Sequence, residues 1–453
     1  MRKVEESVCV EAFGELLLRE MSVSSLKIGL AGFGNVGAGV YKNIEKNQHL
    51  LRERTGKELV VSRIAVRDLT KARTVEMPAD LVTTDLDELV QDPEIDLIVE
   101  LIGGIERAFD LVKASVENGK AVVTGNKALL AERGQELFAI AKEHGQPIYY
   151  EAAVAGGIPI IKTVQESLIG NHIQTMAGII NGTCNYILTR MTEAGLDYET
   201  ALGEAQQLGY AEADPTLDVN GWDAAHKAII LASLSYGCWV PCDKIHVEGI
   251  ENVHREDIAF AEKLGYTIKL LAIIQLHEET GAIEVRVQPS LIANNHILAS
   301  VKGVFNAILV KGDVVGETLF YGSGAGQDPT SSSVIADIAD ATARLGSSQS
   351  SGFVTHGLYG NPAPIEDSVS KYYLRVEVED RPGVLAQIAA VLGKLDVGIL
   401  SLIQPEDHDE ETAPIVLMLH YAAFGVVQEA LECISKLDCV CESPVLLRVE
   451  DLG

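Results

Sequence analysis

A chain of 453 residues, 47% hydrophobic and 22% charged, holds enough apolar material for more than one buried core and too little charge for disorder. Its formal net charge of −29 repels phosphate backbones and anionic lipid, so nucleic acid and membrane surfaces are excluded as partners. No apolar run reaches the ~18 residues of a membrane span, and seven scattered cysteines without a C-x-x-C pair fit reduced thiols in the cytoplasm.

Residues 1–25 read as an N-terminal extension. Glu5, Glu6, Glu11, Glu15 and Glu20 rule out the uncharged core of a signal peptide, leaving a short helix or a true start at Met21. From Leu26 the pattern alternates β-rich runs with helical periods. Strands are expected at 26–31, Leu59 to Val66, Asp96 to Glu100, Ala121 to Thr124 and Ile148 to Glu151, with helices at Val36 to Lys46, Ile105 to Asn118 and Ala128 to His144. Such alternation gives a parallel sheet covered on both faces, an α/β Rossmann-type dinucleotide-binding domain over 26–155. Residues 156–346 change rhythm: a strand at Ile173 to Ile180, helices as far as Tyr236, and β segments at Thr267 to Leu276 and Ile283 to Gln288. They form an α+β catalytic and dimerisation domain whose final helix, after Pro329, returns to the nucleotide domain. The breaker-rich SSQSSG and NPAP mark 347–370 as a linker, and 371–453 spells β-α-β-β-α-β, a ferredoxin-like unit.

Three places carry chemistry. Gly32-Phe33-Gly34-Asn35-Val36-Gly37 follows a strand and opens a helix, where glycines allow a tight turn and close backbone approach to a pyrophosphate held at the helix N-terminus. At the end of the second strand Arg67 would bind a ribose 2′-phosphate, favouring NADP, although the adjacent Asp68 would suit the free hydroxyl of NAD. Lys127, in the turn Thr124-Gly125-Asn126-Lys127, follows a strand whose carboxyl end faces the cofactor crevice. Farther on, Asp223 and Lys227 lie four apart on one helical face, in a helix apolar nearly all round, so the pair faces an enclosed cleft rather than solvent. Reduction of an aldehyde leaves negative charge on oxygen. Lys227 would supply the proton, and in reverse take it back, with Asp223 orienting it and Glu212, at the start of the preceding loop, holding a substrate ammonium.

In sequence and order GFGNVG, TGNKALL, YEAAVAGGIPII, NGTCNYIL, GYAEADP, DVNGWDAAHK and GSGAGQDPTSSSV resemble homoserine dehydrogenase, from about Leu26 to Arg344. The resemblance implies reversible NAD(P)-dependent oxidation of L-homoserine to L-aspartate 4-semialdehyde, in the biosynthesis of threonine, methionine and isoleucine. Lys227 falls on the family's proton-transfer lysine, and Glu212 and Asp223 on substrate-binding positions. Lys127 matches a lysine near the nicotinamide; Gly209 and Gly324 match glycines that approach the cofactor. The family also binds a monovalent cation, usually sodium, at places occupied here by Glu151, Val154, Gly156 and Ile158. Beyond the linker, Val378 to Leu385 is similar to the strand-to-helix turn of ACT domains, with Asp380 and Gly383 shaping an effector turn. The implied effector is threonine, and the implied assembly a homodimer, with the ACT domains offering a contact for a tetramer.

Two other readings remain. A phosphorylating semialdehyde dehydrogenase needs a cysteine nucleophile, for which Cys184 is the one candidate among these motifs. A non-catalytic amino-acid sensor would keep a vestigial nucleotide fold.

Overall fold

The computed structural model describes residues 24–344, 354–405 and 411–452; the extension before Met21, the choice of start and the SSQSSG segment lie outside the described residues. The described chain forms two compact units, one of residues 24–129, 133–153 and 326–344, the other of 130–132, 154–325, 354–405 and 411–452.

The first unit is built on a parallel sheet. Its strands are β1 (Ser25–Ala31), β2 (Glu58–Ala65), β3 (Val82–Thr83), β4 (Leu97–Glu100), β5 (Ala121–Thr124) and β6 (Ile148–Tyr149), ordered β3-β2-β1-β4-β5-β6. Their near-continuous apolar runs suit strands buried on both faces: Leu26, Ile28 and Leu30 of β1 share a core with Leu97, Val99, Ala121 and Val123. The order reverses between β1 and β4, which opens a crevice at their carboxyl ends. Val334 and Ile338 of the helix Gln327–Arg344 fill the same core, and Lys42 Nζ holds Asp328 at 2.7 Å. The helix after the glycine-rich turn runs over Asn35–Thr55 rather than stopping at Lys46, with a kink at Asn47 (φ −109°) and a left-handed cap at Gly56. Its second half is polar, so the apolar period that marks its start fades before the helix ends.

In the second unit a mixed sheet gathers β7 (Ile173–Ile179), β8 (His246–Val247), β9 (Tyr266–His277), β10 (Ala282–Ala293), β11 (Phe305–Gly312), β12 (Gly316–Ser323), β13 (Val369–Glu379), β14 (Ile399–Ile403), β15 (Thr412–Ala423) and β16 (Val445–Glu450). The order is β12-β11-β7-β9-β10-β16-β13-β15-β14, with β8 beside β10. The last four strands, with the helices Val384–Lys394 and Phe424–Ile434 packed on them, make the ferredoxin-like unit around a core of its own. This unit is continuous with the rest of the sheet, because β16 pairs in parallel with β10 at Ser290–Arg448, Leu291–Val449 and Ile292–Glu450. The β segment expected at Ile283 to Gln288 runs on to Ala293 as β10. Pro289 stands opposite Leu270 of β9 and, on the other side of the strand, in the gap between the β8 partners of Arg286 and Val287 and the β16 partners from Ser290 on, a place in a sheet that tolerates a missing N–H. Residues 354–368 run past the start of β10, with Gly360 N donating to Gly281 O and Ala363 N to Ile283 O.

Charged side chains are buried where β10 meets β16. Arg286 lies 2.9 Å from Glu284 and 3.0 Å from Glu450, and Glu284 also accepts from Ser368 and contacts His277. Burial alone would raise the Glu284 carboxyl, but His277, Arg286, Ser368 and Arg448 outweigh it and hold the group at about 2, against an ordinary 4.5. A carboxyl depressed on folding stabilises above its unfolded value and loses that contribution as pH falls toward its folded one. The stability gap between wild type and Glu284→Gln should therefore be full at neutral pH and close between about 4.5 and 2; urea titrations across that range check it.

Among the described residues no helix is long and apolar enough to cross a membrane.

Candidate active site

The polar centre of the second unit is built by two helix N-termini. The helix Trp222–Tyr236 starts at Gly221, whose φ of 87° suits glycine, and carries Asp223 in its first turn and Lys227 one turn on. The pair is among twelve buried residues of this helix, so both side chains are turned inward: Asp223 is 8% and Lys227 9% exposed. Lys227 Nζ donates to Asp223 Oδ2 at 2.7 Å and to Ile180 O at 2.8 Å. The ammonium is thus held by one carboxylate and one carbonyl, and a buried charge so held needs both partners.

Asn181, which sequence reasoning passed over, completes the arrangement. It caps the helix Gly182–Ala194 by accepting from Cys184 N at 2.7 Å, while its Nδ2 donates to Asp218 Oδ1 at 2.7 Å and Asp223 Oδ2 at 2.8 Å. Two carboxylates on one side and an N–H on the other fix the orientation of its amide. An Asn before a helical run is a recognisable cap; its reach to Asp223, 42 residues away, leaves no local trace. Thr183 Oγ1 donates to Tyr210 O at 2.8 Å, tying this helix to the loop that follows Gly209.

Glu212 stands on that loop with its side chain exposed, its carbonyl accepting from Gln206. The structure brings Asp223 and Lys227 together and does not join the Glu212 carboxylate to them. Gly209 has φ 75° at the end of the helix Tyr198–Gln207. Cys184 is fully buried, its thiol donating to Asp218 O. Burial raises it well above the ordinary thiol range, which leaves little thiolate for a thioacyl mechanism.

In the first unit each glycine of the turn has its own task. Gly32 has φ 101°, and a Cβ there would meet Leu101 O at 2.4 Å; one on Gly37 would meet Gly32 O at 2.1 Å. Gly34, which precedes the first helical residue, has nothing within 4 Å of its Cβ position, leaving room for a phosphate at the Asn35 and Val36 end of the helix. Phe33 is buried and its carbonyl accepts from Arg73 Nε, while Arg73 Nη2 donates to Asp68 O. Arg73 is a second cation beside Arg67, which is exposed just past β2. The Asp68 carboxylate takes hydrogen bonds from Thr70 N and Oγ1, which hold it below the usual carboxylate range.

Lys127 is the first residue of the helix Lys127–His144, capped by Asn126. Under this turn lies Glu100, fully buried, accepting from Thr124 Oγ1, Ile102 N and Gly103 N. Burial raises its carboxyl, and those bonds only temper the rise. A Glu closing an apolar strand was the one signal for it.

Glu151 lies in the first unit, its N–H donating to Asp337. Val154, Gly156 and Ile158 lie in the second, on a turn where Ala155 and Gly156 are both left-handed, at φ 54° and 52°. A Cβ on Gly156 would meet Gly324 O at 2.4 Å. Among the described residues no group of three His, Cys, Asp or Glu side chains is placed to hold a metal. In the ferredoxin-like unit Asp380 and Gly383 sit on an exposed turn, and Gly383, at φ 93°, opens the helix Val384–Lys394.

Comparison with known proteins agrees with this layout. The homoserine dehydrogenase family matches residues 159–339, the NAD-binding domain of homoserine dehydrogenase residues 32–151, and the ACT domain residues 372–439. The chain is 43% identical to a homoserine dehydrogenase of Pseudomonas aeruginosa, with 94% of this chain and 99% of that one covered. It is 44% identical to one from Synechocystis sp., again over 94% and 99%. Among solved structures, a homoserine dehydrogenase from Thiobacillus denitrificans superposes with a TM-score of 0.89 at 42% identity, over 95% of this chain and 99% of that one. A hyperthermophilic archaeal homoserine dehydrogenase in complex with NADPH gives 0.59 at 28% identity, over 70% and 98%.

Proposed function

The chain belongs to the homoserine dehydrogenase family and is an oxidoreductase acting on a CH–OH group; from that premise we propose that it interconverts L-homoserine and L-aspartate 4-semialdehyde with Lys227 as general acid and base. The observation that carries this reading is the buried Lys227–Asp223 pair, 2.7 Å apart. A bound nicotinamide supplies or takes the hydride. Lys227 gives its proton to the carbonyl oxygen as negative charge grows there, and recovers it from the hydroxyl in the other direction. Asp223, itself held by Asn181, keeps the amine in place. Glu212, on its exposed loop, binds the substrate ammonium. The reaction serves threonine, methionine and isoleucine biosynthesis in the cytoplasm.

The cofactor is NADP, bound along Gly32 to Gly37 with Gly209, Gly324 and Lys127 approaching it. Two facts support the choice over NAD: the Asp68 carboxylate is occupied by Thr70, and Arg67 and Arg73 are cations at that strand end. NADPH in the archaeal relative agrees. A charge-assisted hydrogen bond is worth about 1.5–3 kcal/mol, so Arg67→Ala should raise the KM for NADPH roughly 10–100-fold and leave that for NADH little changed. A parallel rise in both would remove Arg67 from phosphate recognition.

A monovalent cation, sodium, is held through Glu151, Val154, Gly156 and Ile158; carbonyl oxygens suit so hard an ion. Threonine, taken at the Asp380–Gly383 turn, is the feedback effector. The chain works as a homodimer, extended to a tetramer where ACT domains pair. One cuvette tests the whole reading: NADPH absorbance should fall with L-aspartate 4-semialdehyde, without added phosphate, and threonine should slow it. A flat trace would favour the amino-acid sensor.

A further inference from the structure

The proton chemistry of Lys227 and Asp223 leaves Glu100 without a task. Glu100 is the last residue of β4 and 0% exposed. Its Oε1 accepts from Ile102 N at 2.9 Å and Gly103 N at 3.4 Å, and its Oε2 from Thr124 Oγ1 at 2.5 Å. Burying a carboxyl costs free energy that an apolar side chain filling the same space would not, so its three bonds call for a reason.

Its neighbours place it beneath the dinucleotide crevice. β1 and β4 are adjacent where the strand order reverses, and Leu101 N donates to Ala31 O at 2.8 Å, just before the glycine-rich turn. A Cβ on Gly32 would meet Leu101 O at 2.4 Å and Ile102 N at 3.1 Å, and one on Gly125 would meet Leu101 Cδ2 at 3.2 Å. The segment that follows Glu100 therefore lies between the Gly32 turn and the turn that carries Lys127.

That segment needs holding. Gly103 and Gly104 are exposed and both left-handed, at φ 69° and 73°, and glycine has the widest backbone freedom to lose. Glu100 holds the start of the loop through two N–H groups, and Asn126 holds its end, Nδ2 donating to Gly104 O at 2.7 Å. Thr124 closes the ring: its Oγ1 donates to Glu100 and accepts from Asn126 N at 3.0 Å, while Asn126 Oδ1 caps the Lys127 helix at Leu129 N. One buried carboxyl thus sets two loops, at the ends of the paired strands β4 and β5, relative to each other.

We propose that Glu100 is a positioning residue for the cofactor, fixing the loop 102–104 against the Lys127 turn in the spacing that receives the dinucleotide. A loop without that pin reaches the spacing in only a fraction of molecules, and apparent affinity falls by the same fraction. Because Glu100 acts through backbone that both cofactors meet, it affects NADPH and NADH alike, in contrast to Arg67. The inference rests on the reading of Gly32 to Gly37 as the dinucleotide site.

The test is direct binding of NADPH and NADH, followed by nicotinamide fluorescence, in Glu100→Leu, Glu100→Gln and Thr124→Val. Glu100→Leu removes three hydrogen bonds, each worth roughly 2–10-fold, and should raise both Kd values together about 10–100-fold. The KM for L-aspartate 4-semialdehyde should stay unchanged. Glu100→Gln keeps an acceptor for Ile102 and Gly103 and a partner for Thr124, so both cofactors should bind close to wild type. Thr124→Val matches Thr in size and cuts the link between the loops; a rise of about 2–10-fold in both Kd values is expected there, which decides the matter even where Glu100→Leu fails to fold. An unchanged Kd in Thr124→Val, a rise confined to NADPH, or a Glu100→Gln protein no better than Glu100→Leu overturns the proposal. Gly34→Val, which fills the room left for a phosphate, is the reference. Undiminished binding there would unseat the dinucleotide site itself, whereas lost binding there beside an indifferent Thr124→Val unseats Glu100 alone.

Discussion

Lys227→Ala is expected to lower kcat by about 10²–10⁴-fold, the usual contribution of a positioned acid–base group, with NADPH affinity near the wild-type value. The argument is geometric. Among the described residues Nζ has two partners, Asp223 Oδ2 and Ile180 O, and an ammonium carries a third donor that can serve the substrate oxygen. Removing the amine also leaves Asp223 buried with Asn181 as the neutral donor that the structure shows on it, so some stability falls with the activity. Lys227→Arg separates the two effects. Arginine keeps the positive charge beside Asp223 but does not give up its proton, so the fold should hold while turnover stays low. Stopped-flow hydride transfer at saturating substrate, with cofactor binding followed by fluorescence, reads both quantities. Wild-type turnover in Lys227→Ala would remove the proposed mechanism.

The parts of this site that could be read from the chain are those written in local spacing. Gly32 to Gly37 sits where a period of two changes to a period of 3.6, and Asp223 and Lys227 share a face because they are four apart. What escaped is held by distance in sequence. Asn181 meets Asp223 across 42 residues and Glu100 meets Thr124 across 24, and neither partner marks the other. Arg73 reaches Phe33 O from an irregular stretch with no period to place it. The joining of β16 to β10 is made by backbone ladders, which any residue type can form, so the ferredoxin-like unit reads as a separate body although it shares a sheet with the rest of its unit. Even the prolongation of β10 past Pro289 depends on which neighbour lies opposite, information absent from the proline itself.

That shared sheet leads to the second large effect, at Asp257. This residue, 0% exposed in the helix Arg255–Lys263, accepts from Arg375 Nε at 2.7 Å, Arg375 Nη2 at 3.1 Å and Tyr373 Oη at 2.8 Å, both partners lying on β13. Burial works against the Arg375 cation, but Asp257 more than compensates and raises it further; with the carboxylate gone, a guanidinium and a phenol stay buried without that acceptor. Breaking such a pair from one side costs about 3–5 kcal/mol, so Asp257→Ala should unfold at clearly lower urea concentration. The double variant Asp257→Ala, Arg375→Leu should recover part of the loss, because an apolar side chain in place of the stranded charge removes the penalty rather than restoring the bond. Because the two partners tie the ferredoxin-like unit to the helix beside β9, the single variant should also lose its response to threonine while the Lys227 site, on other elements, continues to turn over. A cost under about 1 kcal/mol, typical of exposed pairs, with threonine inhibition intact, would show that the β10–β16 ladder alone joins the two parts.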